Sequence, residues 1–584
     1  MPRHRTFVAV TIAVMAVVAS SVAAANAAPE SGGRSGSAES AQQPSGGAQE
    51  YVVAFDGDAA AAEAAIADAG GSVVDVNEAA NIALVETTDT GFVGKARAEG
   101  AVTGVARNHA VGTTRPGVAH RFATERPSAS DRAIGGSRGQ GRGHGGGRGD
   151  RAEPLADLQW DMAMINTDAA HRKATGKGVD VGIIDTGIDA SHPDIAPNFD
   201  RRRSRNFTMD IPAIDGPCEV ATCIDPANVD DGGHGTHVAG TVAGDDNRFG
   251  IEGVAPDATL VNLRAGQDSG FFFLYETVAA LTEAGNLHLD VVNMSFYTDP
   301  WLYNCASRDQ YVSGEVSDEE LAEQQLTRQL VQAAVTYASR RGVTLVGSAG
   351  NEHTDLTAPT RSDVTSPDFP ADIEGNPLAA HPRVVTRDCK ILPNEAPEVI
   401  GVSALGPSTT KADYSNYGLN EVEISAPGGW FRDGVGTPTF QTPGNLVMSS
   451  YPLDVAIEEE LANPDGTPVD DFSTQYCDSR GRCGFYTTLQ GTSMASPHVA
   501  GVAALVIDRY GHSGRGGKSL DPATVRRILE RTATNHACPA GGVEIYTDEG
   551  RPAEFNAACV GTTAENSLYG EGIVNAARAV GAIH

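Results

Sequence analysis

Apolar residues recur along this chain in short blocks, and the blocks change character near residue 154. Before that point Tyr51-Val52-Val53-Ala54-Phe55 reads as a strand, 59–69 as an Ala-rich helix, and 71–76 and 81–86 as further strands. This pattern predicts a small α+β unit over 50–115. After it, apolar runs at 179–184, 260–263, 290–294, 343–346 and 399–402 alternate with helical periodicities. The clearest helix is expected over 317–340, with a capping box of Ser317 and Glu320 and one face marked by Leu326, Leu330, Ala334 and Ala338. Short runs without polar alternation are strands buried on both faces. The second region, 154–584, is therefore expected to be α/β: a doubly wound, mostly parallel sheet with helices on both faces.

Polar stretches separate these units. Residues 28–49 are Ser/Gly/Ala-rich and expected to be disordered, and 116–153 form a Gly/Arg-rich linker. Residues 1–27 have the order of a secretory signal: Arg3, His4 and Arg5, an apolar run over 7–18, then Ala25-Asn26-Ala27. That run is short, leads into Pro29, and no later segment approaches the length of a membrane span, so a secreted protein with no membrane partner is expected.

Composition narrows the classes further. Seventy-five acidic residues against 43 basic ones leave a net charge of −32, which argues against nucleic-acid binding and favours a soluble surface with affinity for hard cations such as Ca²⁺. Eight cysteines suit an oxidising compartment. Cys218 with Cys223 and Cys477 with Cys483 can clip surface loops, and Cys538 with Cys559 can close a longer one. Only elimination pairs Cys305 with Cys389. The spacings lack the paired C-x₂-C of a zinc site, so disulfides are favoured.

Chemistry concentrates in four places. Gly491-Thr492-Ser493-Met494-Ala495-Ser496-Pro497-His498 puts a serine at a probable helix start, where orphan N–H groups and the helix dipole favour developing negative charge. Asp185-Thr186-Gly187 directly follows the first strand of the large region, at the end of a parallel sheet where ligands gather. His234-Gly235-Thr236-His237-Val238-Ala239-Gly240 begins a helix after Gly232-Gly233, and Ser348-Ala349-Gly350-Asn351 follows the 343–346 strand. Together they supply a nucleophile (Ser493), a general base (His234), a carboxylate to orient it (Asp185) and an amide for an oxyanion (Asn351).

These motifs, in the order Asp, His, Ser, resemble those of the subtilisin-like serine peptidases (subtilases, peptidase family S8), and the resemblance covers about 150–584. It implies a serine endopeptidase that cleaves proteins or peptides through an acyl-enzyme, with no cofactor needed for the chemistry. By position and element pattern, 50–115 resembles the family's propeptide, which acts as a folding aid and intramolecular inhibitor. A monomer is expected.

The resemblance also implies a peptide cleft walled by Gly266-Gln267-Asp268-Ser269 and Met294-Ser295-Phe296-Tyr297, with Ser348 and Gly350 beside it. Gly266, Gln267, Ser295, Phe296, Ser348 and Gly350 are the candidate substrate contacts. Phe296 and Tyr297 depart from the usual Ser-Leu-Gly, so Tyr297 either narrows the cleft or packs beneath the insertion at 298–316. A second insertion, 454–483, is acidic and either extends recognition or is a solvated loop. Gly232 stands where a dibasic-cleaving convertase has an acidic residue. Asp189, His237 and His498 are read as structural, since each family role is already filled.

The stretch 245–252 resembles the family's structural calcium loop, with Asn247 giving a side-chain oxygen, Asp245, Phe249 and Ile251 their carbonyls, and Asp194 a carboxylate. Asp157 or Gln159 is expected as the N-terminal ligand. Two alternatives to a general endopeptidase remain: a narrow-specificity maturation peptidase of the same family, and a catalytically silent peptide-binding protein.

Overall fold

The computed structural model describes residues 48–108, 126, 153–212, 214–364, 382–514 and 517–583. The expected signal over 1–27, the polar stretch after it up to 47, and the linker apart from Arg126 and Glu153 lie outside the described residues. Near the start, β1 (Gln49–Phe55), β2 (Ser72–Asn77), β3 (Ile82–Thr87) and β4 (Val102–Arg107) form an antiparallel sheet in the order β2-β3-β1-β4. With α1 (Ala59–Asp68) and α2 (Phe92–Ala96) they make a small domain. Asp58 caps α1 by accepting from the Ala61 N–H at 3.1 Å.

Side chains alternate across a strand, and β1 uses both faces. Tyr51, Val53 and Phe55 pack with Ile66 and Phe92 in the small domain's own core. Val52 and Ala54 point the other way and join Ile82, Leu84 and Ala106 in a core shared with the large domain.

The large domain is built on seven parallel strands in the order β14-β13-β10-β8-β5-β7-β6. They are β5 (Asp180–Ile184), β6 (Arg205–Asn206), β7 (Thr259–Arg264), β8 (Val291–Met294), β10 (Thr344–Ser348), β13 (Val399–Leu405) and β14 (Ile424–Pro427). Two antiparallel three-stranded sheets lie outside it. One joins β9 (Tyr311–Ser313), β11 (Thr360–Val364) and β12 (Pro382–Thr386), the other β15 (Val447–Tyr451), β16 (Ser473–Cys477) and β17 (Cys483–Leu489). Helices α3 (His234–Ala243) and α6 (Thr492–Tyr510) cover one face of the large sheet, α4 (Leu274–Asn286) and α5 (Asp318–Arg340) the other. Neighbouring residues divide between the faces accordingly: Ile183, Val291 and Val346 join the first core, Ile184, Val292 and Leu345 the second. The doubly wound sheet is as expected. Ser317 caps α5 by accepting from the Glu320 N–H at 3.0 Å, while the Glu320 carboxylate accepts from Tyr311 and Gln324.

Four disulfides form, Cys218–Cys223, Cys305–Cys389, Cys477–Cys483 and Cys538–Cys559, leaving no free cysteine among the described residues. No described helix is long and apolar enough to cross a membrane.

The small domain docks its second face on α4 and α5. Arg107 donates its N–H to Glu323 at 3.2 Å and its guanidinium to Glu319 at 2.8 Å. The residue ahead of α4 is Phe273, which has no side-chain acceptor, and Asn108 of the small domain supplies the cap instead. Its Oδ1 accepts from the Tyr275 N–H at 2.9 Å, and its Nδ2 donates to both oxygens of Glu276 at 3.1 and 3.2 Å. Losing an N-cap costs about 0.5–2 kcal/mol, so Asn108→Ala is expected to lower the stability of the full chain by about that much in denaturant unfolding. An unchanged midpoint would show that Asn108 does not hold the domains together.

Candidate active site

The turn after β5 and the start of α3 meet at one contact. His234 Nδ1 bonds Asp185 Oδ1 at 2.7 Å, and both side chains are fully buried. Asp185 Oδ1 also accepts from the Thr186 N–H at 2.8 Å. Gly235 makes the approach possible, since a methyl group there would lie 2.1 Å from the Gly187 carbonyl oxygen. Asp230, which sequence reasoning missed, anchors the helix start. Its Oδ1 accepts from the Gly233 N–H at 2.9 Å and Thr186 Oγ1 at 2.8 Å, and its Oδ2 from the Thr236 N–H at 2.8 Å. An Asp just ahead of a probable helix start was the available signal.

Helix α6 packs on α3 and carries Ser493 as its second residue. That N–H has no carbonyl four residues earlier within the helix to bond, so the helix start offers a donor there. Ser493 Oγ donates to the Ser295 carbonyl at 3.3 Å. Pro497 lacks the N–H that would bond the Ser493 carbonyl, and Ser295 Oγ donates to that carbonyl instead, at 3.0 Å. Asn351 is held from behind: its Oδ1 accepts from the Thr492 N–H and from Thr492 Oγ1, both at 2.9 Å. Thr492 Oγ1 in turn accepts from the Gly350 N–H at 3.1 Å. An amide fixed through its oxygen presents its NH₂ on the opposite side, as an oxyanion donor must.

Of the expected cleft residues, Ser295, Ser348 and Gly350 lie on the strand ends and turns around Ser493 and Asn351. The side chains of two others turn into the fold. Gln267 is fully buried; its N–H bonds the Phe271 carbonyl at 2.9 Å, and its amide reaches the Met209 carbonyl and Asp215. Gly266 pairs with Phe272 in the same turn, so this segment closes on itself. Phe296 is also buried, stacked on Phe272 with ring centroids 4.0 Å apart. Burying two aromatic faces against each other outweighs leaving one on an open wall. Tyr297 packs with Leu302, Tyr303 and Cys305 of the insertion that follows it. Asp189, His237 and His498 are tied into the fold: Asp189 accepts from the Ser191 N–H, His237 Nε2 donates to the Val447 carbonyl, and His498 bonds Met494 and Asp161.

The 245–251 loop gathers oxygen donors around Asp194. The buried Asp194 carboxylate accepts from Tyr486 Oη at 2.7 Å, the Ile251 N–H at 3.1 Å and Asn247 Nδ2 at 3.4 Å. Burial pushes its carboxyl up to about 7. Asn247 Oδ1 is buried with no hydrogen-bond partner among the described residues, which fits a hard cation there. The Asp245 carbonyl accepts from the Asn247 N–H, and the Phe249 and Ile251 side chains are buried beneath the loop. The expected N-terminal ligands do not fit: Asp157 is exposed, and the Gln159 amide bonds the Glu252 backbone. Glu153 stands there instead, its carboxylate accepting from the Arg248 N–H at 2.6 Å and raised to about 8 by burial. A second acidic group escaped sequence reasoning altogether. Carboxylate oxygens of Asp210, Glu219, Asp225 and Asp268 lie within 4.8 Å of one another, beside the buried Arg264 guanidinium, which pairs with Asp225 at 2.8 Å and Asp268 at 2.5 Å. These four residues span 58 positions of sequence and meet only when their loop folds against β7.

The subtilase family profile matches residues 176–572. The chain is 28% identical over 423 residues to the thermostable alkaline protease of Halalkalibacterium halodurans, covering 72% of this chain and 73% of that one. To subtilisin DY of Bacillus licheniformis it is 29% identical over 360 residues, 62% of this chain and 85% of that one. The epidermin leader peptide processing serine protease (EpiP) of Staphylococcus aureus shares the fold with a TM-score of 0.58, over 91% of this chain and 98% of that one, at 20% identity. One consequence follows from the buried histidine behind the site. Burial, with His234 beside it, pushes the His237 imidazole down to about 3. The unfolded chain takes up that proton near pH 6.5 and the folded chain does not, so stability drains away as pH falls from 6.5 toward 3, by at most about 1.4 kcal/mol per unit. His237→Asn is expected to show a shallower loss of melting temperature over pH 6.5–4 than the parent; identical slopes would refute the assignment.

Proposed function

The chain belongs to the subtilase family and is a serine peptidase, and on that premise we propose that it is a secreted endopeptidase working through Asp185, His234, Ser493 and Asn351. The observation that carries this reading is the buried 2.7 Å bond between His234 Nδ1 and Asp185 Oδ1, which holds the imidazole in one tautomer, with Nε2 as its basic nitrogen. Ser493 Oγ attacks the scissile carbonyl carbon and its proton passes to His234 Nε2. Asp185 stabilises the imidazolium, while the Asn351 amide and the Ser493 N–H receive the oxyanion. The imidazolium then gives its proton to the departing amine, and water, activated by the same histidine, releases the acyl group. Secretion is supported by the signal-like order of 1–27. The small domain is read as an intramolecular inhibitor and folding aid, because it caps α4 and covers α4 and α5.

Ser493→Ala is expected to remove hydrolysis and fluorophosphonate labelling while leaving the melting temperature near the parent's. Substantial hydrolysis by that variant would overturn the assignment. Asn351→Ala is expected to lower kcat about 10²–10³-fold with little change in KM, a figure taken over from subtilisin itself.

For calcium we propose a structural ion held by Asp194, Asn247, Glu153 and the carbonyls of Asp245, Phe249 and Ile251. When bound it supplies charge balance and rigidity, not chemistry. Chelation is expected to lower the melting temperature by several degrees, and Asn247→Ala to remove most of that sensitivity. If chelation shifts the variant as far as the parent, the ion sits elsewhere.

A further inference from the structure

Arg126, from the segment joining the two domains, is held by the large domain in a site of its own. Its Nη2 donates to Tyr451 Oη at 2.6 Å and to Glu459 Oε2 at 2.7 Å, and its Cζ lies 5.4 Å from the centre of the Tyr451 ring. Tyr451 Oη also donates to the same Glu459 Oε2 at 2.8 Å, so guanidinium, hydroxyl and carboxylate meet in one triangle. The site is built rather than incidental: Tyr451 is 2% exposed, and the Arg126 and Glu459 side chains are 18% and 12% exposed. A carboxylate so far withdrawn from water needs a cation, and a charge-assisted contact there is stronger than a surface ion pair.

Its position joins it to the reaction centre. Tyr451 ends β15, and β15 pairs with β17, which leads through Gln490 and Gly491 to Ser493. The Tyr451 ring lies over Gly233, the residue before His234, so closely that a methyl group there would be 2.4 Å away. Gly233 also has φ +77°, so a glycine is doubly favoured at this point. Glu459 follows the short helix Leu453–Glu458 in the acidic 454–483 insertion. That insertion therefore brings a recognising carboxylate to the wall beside the histidine, and does more than form a solvated loop.

We infer that Tyr451 and Glu459 form an arginine-recognition site beside His234, filled in cis by Arg126 and, once that segment has been cleaved off, by an arginine of the peptide substrate. This rests on the peptidase reading above. Arginine is favoured over lysine because the planar guanidinium lies over the Tyr451 ring while its Nη2 bonds both acceptors. The net charge of −32 would draw basic peptides toward it.

The test uses the secreted, processed protein and a set of peptides identical except for arginine, lysine or citrulline (the neutral isostere) at successive positions around the cleaved bond. At one position arginine is expected to exceed citrulline about tenfold or more in kcat/KM, chiefly through KM, and Glu459→Gln to bring that ratio near one. Hydrolysis with no arginine preference at any position, or a preference that survives in Glu459→Gln, would overturn the site while leaving the peptidase intact. Binding is read separately on the full chain carrying Ser493→Ala and Arg126→Ala, with N-acetyl-arginine amide as the probe in calorimetry. Saturable binding that Glu459→Gln abolishes supports the site even if no peptide is cut, in which case the peptidase reading alone falls. No binding overturns the site.

Discussion

Everything around the candidate active site answers to one buried contact, the hydrogen bond between His234 Nδ1 and Asp185 Oδ1. A carboxylate with no exposed side-chain surface is costly to withdraw from water and persists only if donors meet it. The imidazole and the Thr186 N–H are two such donors. Their geometry depends in turn on the approach of α3 to the β5 turn, which Gly235 permits and Asp230 pins. Helix α6 lies against α3, so the serine at its start inherits the same reference frame. A shift of the sheet, the turn or either helix would be felt at this one bond.

A second regularity concerns how the N-terminal part of the chain attaches. The N-terminal part of the chain completes three places in the large domain: the helix start behind Phe273, the apolar surface of α4 and α5, and the deeply set Glu459 carboxylate, which Tyr451 already bonds. Asn108 meets the first, Val52, Ala54, Leu84 and Ala106 the second, and Arg126 the third. Each is a polar or apolar deficit that water satisfies poorly, which is why short contacts from a small domain can hold it in place. None of these contacts is covalent.

Much of this was legible in the residue order. Strands β1, β2, β3, β5, β7, β8, β10 and β13, the long helix capped by Ser317 and the motifs bearing Asp185, His234, Asn351 and Ser493 are local patterns, set by side-chain period, caps and turns. The cleft wall was not legible. Phe296 and Gln267 look like wall residues by their place in the chain, yet each is turned inward, Phe296 by stacking on Phe272 and Gln267 by the Met209–Asp215 loop. Those partners lie 24 residues away for Phe296 and 52 and 58 for Gln267, and nothing in the neighbouring sequence marks them.

The amino-acid sequence by itself determined the parallel α/β core, the order of the reactive side chains and the presence of a separate small domain, because each follows from short-range spacing and hydrophobic pattern. The tertiary structure decided what spacing cannot encode. It brought Glu153 rather than Asp157 or Gln159 to the 245–251 loop, gathered Asp210, Glu219, Asp225 and Asp268 around Arg264, and set Arg126 against Tyr451 and Glu459. For Glu153 and Glu459 the deciding force is the cost of leaving a buried charge or oxygen without a partner. That cost is settled by whichever group the completed fold brings within reach, however distant it is along the chain.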